Sequence, residues 1–285
     1  MPNIKKDGTP TKRHRGAYTP ENPNPYELSR SRVETFLKCK ACFWLQQVKG
    51  VKPPEIPSFT INTTTDILLK RDADAVRGKS ALPIWEKNGL GHLIPFEHEH
   101  LENWTNSMHF GLNETMFNTI HEESNIKFGG GLDDVFLNTQ TGQVHIVDYK
   151  STAQGTNSPD KYVPKPVSLN DSWKIGYKRQ MDMYIWVASR KGLNVSDIGY
   201  FVYVDAQHKD IQGMLTDENP HTAWMKFETS IIPYEADLSW VEPTLLGIKN
   251  FIENQKVCPE HTPKVGYQGC DLGRYANEMM SALGR

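Results

Sequence analysis

Two short apolar segments joined by a turn-forming hexapeptide constrain the fold of this chain more than any other feature. Val135-Phe136-Leu137 and Val144-His145-Ile146-Val147 are rich in the β-branched and aromatic residues that favour strands. Between them, Asn138-Thr139-Gln140-Thr141-Gly142-Gln143 consists of residues typical of turns. This pattern predicts a β-hairpin.

The simplest register of this hairpin places two acidic side chains opposite each other. A loop centred on Gln140 and Thr141 gives the pairs Leu137 with Val144, Val135 with Ile146, and Asp133 with Asp148. Side chains alternate along a strand, so all six lie on one face, and Lys150 follows Asp148 onto it. Like charges directly opposed across strands are destabilising. A divalent cation shared by the two carboxylates would offset that repulsion, whereas a register shift of one residue would remove the arrangement.

Three motifs, in this order, resemble a known nuclease family. Gly130-Gly131-Leu132-Asp133 precedes one strand, Asp148-Tyr149-Lys150 ends the next, and Gln180-Met181-Asp182-Met183-Tyr184 lies in a segment of helical periodicity. This order resembles the PD-(D/E)XK nuclease superfamily and, more narrowly, its RecB-type branch, which includes CRISPR-adaptation nucleases with cysteine clusters. The resemblance covers roughly residues 28–275. It implies an α/β fold with a restriction-endonuclease-like core, in which a mixed central sheet is flanked by helices.

The same resemblance implies a hydrolytic metal site. Asp133 and Asp148 would bind Mg²⁺ or Mn²⁺, and the backbone carbonyl of Tyr149 would be a third ligand. Lys150 would orient or help deprotonate the attacking water and stabilise charge on the phosphate. These residue types suit the reaction, because phosphodiester hydrolysis needs an activated water, alignment and cations facing the developing charge.

The resemblance also implies site residues on the helices on either side of the hairpin. Gln180 and Tyr184 would position the nucleic acid or the lysine. Asp134 competes with Asp133 as a ligand, although alternation places it on the opposite face. Related nucleases carry an acidic or histidine ligand on a helix before the hairpin, and Asp66 is the candidate here. The alternative for Asp66 is an ordinary carboxylate in the first turn of a helix.

Four cysteines bracket these motifs: Cys39 and Cys42 before them, Cys258 and Cys270 after them. Cys39 and Cys42 lie one turn apart on a helix predicted to run from Leu28 to Leu45. An even count in an intracellular chain favours metal ligands or buried thiols over disulfides. The RecB-type resemblance implies a [4Fe–4S] cluster, and four thiolates suit tetrahedral Zn²⁺ equally well.

Composition bounds the domain organisation. The 285 residues are 38% hydrophobic with a net charge of −2, which permits a large core but gives no overall basic surface for nucleic acid.

Residues 1–25 are basic and lack apolar periodicity, which predicts a disordered tail or, alternatively, an electrostatic arm for nucleic acid. Residues 26–285 are predicted to form a single nuclease domain that brings the cysteine-bearing ends together. With no membrane-spanning segment and no signal peptide, we expect a cytoplasmic protein without a membrane partner.

The resulting functional hypothesis is a metal-dependent deoxyribonuclease that acts on DNA ends or single-stranded stretches in recombination, repair or phage replication. A helicase or recombination protein would be its partner. One alternative is a nuclease-fold subunit that binds nucleic acid or supports assembly without cleaving. Another is an iron–sulfur redox protein. The full set of Asp133, Asp148, Lys150 and Gln180 favours the enzyme.

Overall fold

The computed structural model describes residues 18–22, 24–51, 59–105, 115–154, 166–208, 211–215, 219, 221–265 and 269–284. The strands are β1 (Tyr26–Ser29), β2 (Leu93–Pro95), β3 (Asn118–His121), β4 (Ile126–Gly129), β5 (Asp134–Asn138), β6 (Val144–Thr152), β7 (Ile198–Gln207) and β8 (Lys226–Glu235). The α-helices are α1 (Arg30–Lys38), α2 (Lys40–Gln47), α3 (Thr60–Val76), α4 (Pro83–Lys87), α5 (Leu101–Thr105), α6 (Ile175–Arg190), α7 (Val241–Asn254) and α8 (Asp271–Ala282).

A five-stranded mixed sheet forms the centre of the molecule, in the order β2-β5-β6-β7-β8. The β6 and β7 strands run parallel, and the other neighbours are antiparallel. A second sheet, in the order β1-β4-β3, pairs β1 with β4 in parallel. The predicted mixed sheet with flanking helices is therefore confirmed.

The predicted hairpin corresponds to β5 and β6, and its register is confirmed. The ladder pairs Val135 with Ile146 and Leu137 with Val144. The turn is held by the Gly142 N–H, which donates to the Asn138 carbonyl at 2.8 Å. The strand β5 begins at Asp134, so Asp133 lies one residue outside the ladder.

Each face of the central sheet carries its own hydrophobic core. One face packs on α1, α6 and α7, and its centre includes Val135 and Ile146. The other face packs on α3 and α4, and there Phe136 stacks on Trp85 with ring centroids 4.5 Å apart. Because residues of β5 alternate between the two cores, the register determines which acidic side chain faces which set of helices.

The helix predicted from Leu28 to Leu45 is divided in the structure. Leu28 belongs to β1, and Cys39 has extended backbone angles (φ −158°, ψ 106°) between α1 and α2. The Cys39 N–H closes α1 on the Thr35 carbonyl at 2.8 Å, and its own carbonyl accepts from Phe43 at 3.0 Å to start α2. The prediction of one continuous helix was wrong, because the apolar pattern of the sequence does not indicate a break at Cys39.

The prediction for the N-terminal tail lies mostly outside the described residues, which begin at Tyr18. The Tyr18 N–H donates to the Gln47 carbonyl at 2.8 Å, and its ring contacts the Tyr26 ring edge-on. In the described part of the chain, none of the helices combines the length and apolarity needed to cross a bilayer.

Candidate active site and cysteine cluster

Asp148 lies at the centre of the predicted site, on the face of β6 that packs against α6. Its side chain is almost fully buried, with 1% of the residue exposed. The Gln180 side-chain amide donates to its Oδ1 at 2.7 Å, and the Lys150 ammonium forms an ion pair with its Oδ2. The structure therefore brings together three of the predicted residues, from positions as far apart as 148 and 180.

Asp133 reaches the same place from the end of the glycine segment. Its Oδ2 accepts a hydrogen bond from the backbone N–H of Tyr149 at 2.9 Å, which fixes it beside Asp148. Burial raises the pKa of Asp148 to about 7; the Lys150 ammonium opposes that rise and the neighbouring Asp133 carboxylate adds to it. The two carboxylates thus stand close enough to repel one another.

Lys150 supplies the positive charge beside this pair. Burial alone would lower its pKa, but the charges of Asp148 and Asp133 outweigh burial and raise it. Its Nζ also lies 4.9 Å from the centre of the Tyr177 ring. Lys150 is consequently a cation at neutral pH, held between an acidic pair and an aromatic ring.

The helix α3 adds two charged groups that face Asp133. Lys70 Nζ lies 3.1 Å from Asp66 Oδ2 and 3.8 Å from Asp133 Oδ1. Burial raises the pKa of Asp66, and the Asp133 charge raises it further, whereas Lys70 lowers it. The structure therefore places the sequence candidate Asp66 at the edge of the site, with Lys70 between the two carboxylates. Lys70 and Asp133 also line a cavity of about 300 Å³ bordered by α5.

Asp134, the competing ligand candidate, lies on the opposite face, as the alternation predicted. Its two carboxylate oxygens each accept a hydrogen bond of 3.0 Å from the Arg77 guanidinium. The Tyr149 hydroxyl donates to the same carboxylate at 3.0 Å. Both oxygens of the Asp134 carboxylate thus belong to a buried ion pair with Arg77, which anchors the end of α3 to the sheet.

Tyr184 accounts for one glycine of the segment before Asp133. A Cβ atom on Gly130 would lie 2.9 Å from the Tyr184 hydroxyl oxygen, so this close approach requires glycine. The Arg30 guanidinium hydrogen-bonds to the Tyr184 hydroxyl. Tyr184 is buried one helical turn beyond Gln180, where it packs beneath the glycine segment.

A second group of polar side chains lies where the two ends of the chain meet. Three of the four cysteines in the predicted set, Cys39, Cys42 and Cys270, come together, and the fourth member of the group is His261 instead of Cys258. One ligand atom from each residue lies within 4.8 Å of all the others, so the group could hold a metal ion. Cys258 packs against this group, and its thiol donates to the Pro259 carbonyl at 3.4 Å.

The environment of Cys39 favours a thiolate. Burial would raise the pKa of this thiol, but N–H groups of Cys42 and Thr262 and the His261 side chain outweigh burial and lower it to about 6. His261 was not among the residues predicted from the sequence. Its place three residues after Cys258 was the available signal, although Cys258 is not one of the four residues that converge.

Comparisons with known proteins agree with the geometry. A family model of the PD-(D/E)XK nuclease superfamily matches residues 27–232. The matched range contains the acidic pair, Lys150, Gln180 and Tyr184, and it ends before His261 and Cys270. Searches of the curated proteins and of the solved structures returned no match.

Proposed function

This chain belongs to the PD-(D/E)XK nuclease superfamily, and from that premise we propose that it is a metal-dependent deoxyribonuclease. The observation that carries the proposal is the convergence of Asp133, Asp148, Lys150 and Gln180 at one point of the sheet. We extend the proposal to the RecB-type branch, to a cytoplasmic role in DNA recombination, repair or phage replication, and to a helicase or recombination partner. The order of the motifs and their resemblance to that branch support this extension.

Asp133 and Asp148 fit a hard divalent cation. Mg²⁺ and Mn²⁺ prefer carboxylate, carbonyl and water oxygens, and two carboxylates that repel each other are stabilised by a shared cation. The Tyr149 carbonyl and Asp66 complete the proposed ligand set. When bound, the ion would polarise a phosphoryl oxygen and lower the pKa of a water molecule.

The lysines act on the phosphate in this proposal. Lys150 is protonated in its pairing with Asp148, so it donates hydrogen bonds to orient the water and stabilises the negative charge that develops on the phosphate. Lys70, which pairs with Asp66 and Asp133, lies at the exposed side of the same group and can meet a second phosphate. Gln180 is a positioning residue, because it acts on Asp148 rather than on the substrate.

An aromatic pair beside Lys150 favours single-stranded substrate. Trp173 is 41% exposed and contacts Tyr177 edge-on, with ring centroids 5.7 Å apart. The other side of this pair borders Lys150, whose Nζ lies above the Tyr177 ring. Nucleobases of an unpaired strand stack on exposed aromatic side chains regardless of sequence. If a nucleobase stacks on the Trp173 ring, the backbone phosphate of that nucleotide would lie near Lys150.

The test is cleavage of end-labelled DNA, single-stranded and double-stranded with the same sequence, in Mg²⁺, Mn²⁺ or a chelator. The wild-type protein should cleave with either metal and should be inert with the chelator. Asp148→Ala and Lys150→Ala should not cleave, and Lys150→Ala should keep most of its DNA affinity because Lys150 acts on the transition state. Lys226→Ala, at an exposed lysine on β8, is the matched control and should cleave normally.

Two results would oppose this assignment. A wild-type protein that binds DNA but is as inert as Asp148→Ala would favour a nuclease-fold binding or assembly subunit. A loss of DNA affinity in Lys150→Ala that matches its loss of rate would assign Lys150 to binding instead of catalysis.

A further inference from the structure

The cysteine cluster has the dimensions of a single-metal site. His261 Nδ1 lies 3.4 Å from Cys39 Sγ, 3.6 Å from Cys42 Sγ and 3.4 Å from Cys270 Sγ. The Sγ atoms of Cys42 and Cys270 are 3.1 Å apart. Three of the four residues are buried, and His261 is partly buried. Four soft or borderline donors therefore point at one small volume.

We infer that Cys39, Cys42, His261 and Cys270 form a structural Zn²⁺ site. Tetrahedral zinc with Zn–S of about 2.3 Å and Zn–N of about 2.0 Å separates sulfur from nitrogen by about 3.5 Å and sulfur from sulfur by about 3.8 Å. The three sulfur–nitrogen distances agree with this requirement, whereas the Sγ atoms of Cys42 and Cys270, 3.1 Å apart, would separate by about 0.7 Å to hold the ion. A tetrahedral set of three thiolates and one imidazole is a typical structural zinc shell.

This inference differs from the four-cysteine iron–sulfur set that the sequence resemblance implied. A [4Fe–4S] cluster binds one protein ligand to each of four irons, so its ligand atoms spread further than those around a single ion. Here all four ligand atoms lie within 4.8 Å of one another. Cys258, which a four-cysteine set would need, uses its thiol on the Pro259 carbonyl.

Backbone N–H groups donate to two sulfur atoms of the cluster, those of Cys39 and Cys270. The Gly273 N–H donates to Cys270 Sγ at 3.2 Å. A Cβ atom on Gly273 would lie 2.3 Å from the His261 Cβ, so glycine is needed for the histidine to reach the group. Hydrogen bonds to metal-bound sulfur orient the ligands and stabilise their charge. The N–H donors to Cys39 and Cys270 supply this second layer.

The site joins distant parts of the chain. Cys39 lies at the break between α1 and α2, Cys42 lies in the first turn of α2, and Cys270 caps the first turn of α8. The helix α1 in turn contacts the active-site helix α6, because Glu34 accepts from Arg179 at 3.2 Å. Zinc would therefore stabilise the ends of the fold and hold α1 against the helix that carries Gln180.

Elemental analysis of the 285-residue protein, purified without oxygen, tests the inference. We expect close to one zinc per chain, with iron and acid-labile sulfide near zero. His261→Ala and Cys270→Ser should lose the zinc. Cys258→Ser is the matched control, since it removes a cysteine next to the cluster, and it should keep the zinc.

If the ligand variants fail to fold, a second measurement on the wild-type protein and on Cys258→Ser still tests the site. Co²⁺ exchanged into the wild-type protein and into Cys258→Ser should give the same visible spectrum of a tetrahedral thiolate site, and X-ray absorption at the zinc edge should give three sulfur ligands and one nitrogen. Stoichiometric iron with sulfide would overturn the inference in favour of a cluster. Zinc lost from Cys258→Ser but kept by His261→Ala would overturn the ligand set, and metal-free protein would overturn the site altogether.

Discussion

The side-chain amide of Gln180 donates a 2.7 Å hydrogen bond to Oδ1 of Asp148, across the contact between α6 and the central strand β6. This bond leaves the second carboxylate oxygen of Asp148 to Lys150. A residue that fixes a ligand in this way influences metal binding without touching the metal.

Replacement of this amide tests its positioning role. We expect Gln180→Ala to lower Mn²⁺ affinity or the cleavage rate about 10- to 100-fold, which is the usual effect of losing a partner of a metal ligand. Calorimetric titration with Mn²⁺ and single-turnover cleavage would measure the two effects. Gln140→Ala, in the exposed turn of the same hairpin, is the control and should change neither. Unchanged affinity and rate in Gln180→Ala would remove Gln180 from the site.

Two adjacent aspartates should respond to the same substitution in opposite ways. Asp134→Ala leaves the Arg77 guanidinium without its buried partner and should destabilise the fold by about 3–5 kcal/mol. Asp133→Ala removes a like charge from beside Asp148, so stability should hold or rise while cleavage is lost. Chemical denaturation and the cleavage assay distinguish the two. A loss of stability in Asp133→Ala instead of Asp134→Ala would contradict the assignment of these two roles.

Metal binding should weaken on the acidic side of neutrality. Asp148 has a pKa of about 7 in the metal-free protein, so below that pH it holds a proton that the cation must displace. Because the pKa is raised, affinity for Mn²⁺ should fall about tenfold per unit below pH 7 and level off above it. Titrations in buffers of different ionisation enthalpy would count the released protons. Equal affinity from about pH 5.5 to about pH 8.5 would contradict this assignment.

The exposed indole of Trp173 should contribute to the binding of single-stranded DNA. Trp173→Ala should weaken binding of single-stranded DNA by about 1–3 kcal/mol, which is roughly 5- to 150-fold, because it removes a stacking surface. Binding of blunt duplex should change less. Fluorescence anisotropy with both DNA forms measures this, with Tyr275→Ala, an exposed aromatic residue on α8, as control. An equal loss for both DNA forms, or none, would argue against stacking at Trp173.

The hairpin and its acidic pair could be predicted from the sequence because local rules determine them. Turn residues fixed the loop, and strand alternation then fixed the faces of Asp133 and Asp134. The placement of Gln180 near the acidic pair followed from the family's motif order. Its hydrogen bond to Asp148 did not, because the resemblance implied that Gln180 positions the nucleic acid or the lysine.

Other parts of the site depend on tertiary packing that local patterns do not encode. Lys70 reaches Asp133 from α3, and Arg77, the residue that follows the end of α3, anchors that helix to Asp134. The choice of His261 over Cys258 depends on how the segment before α8 folds back onto the break at Cys39. No periodic pattern in the sequence indicates the contact of Lys70 with Asp133 or the place of His261 in the cluster.

The most direct test of the central claim is anomalous diffraction from crystals grown with Mn²⁺ and a DNA strand that carries an uncleavable linkage. We expect a manganese peak bonded to carboxylate oxygens of both Asp133 and Asp148, with a backbone phosphate facing the Lys150 ammonium. Carboxylates that point to opposite sides of the sheet, with no manganese between them, would contradict it.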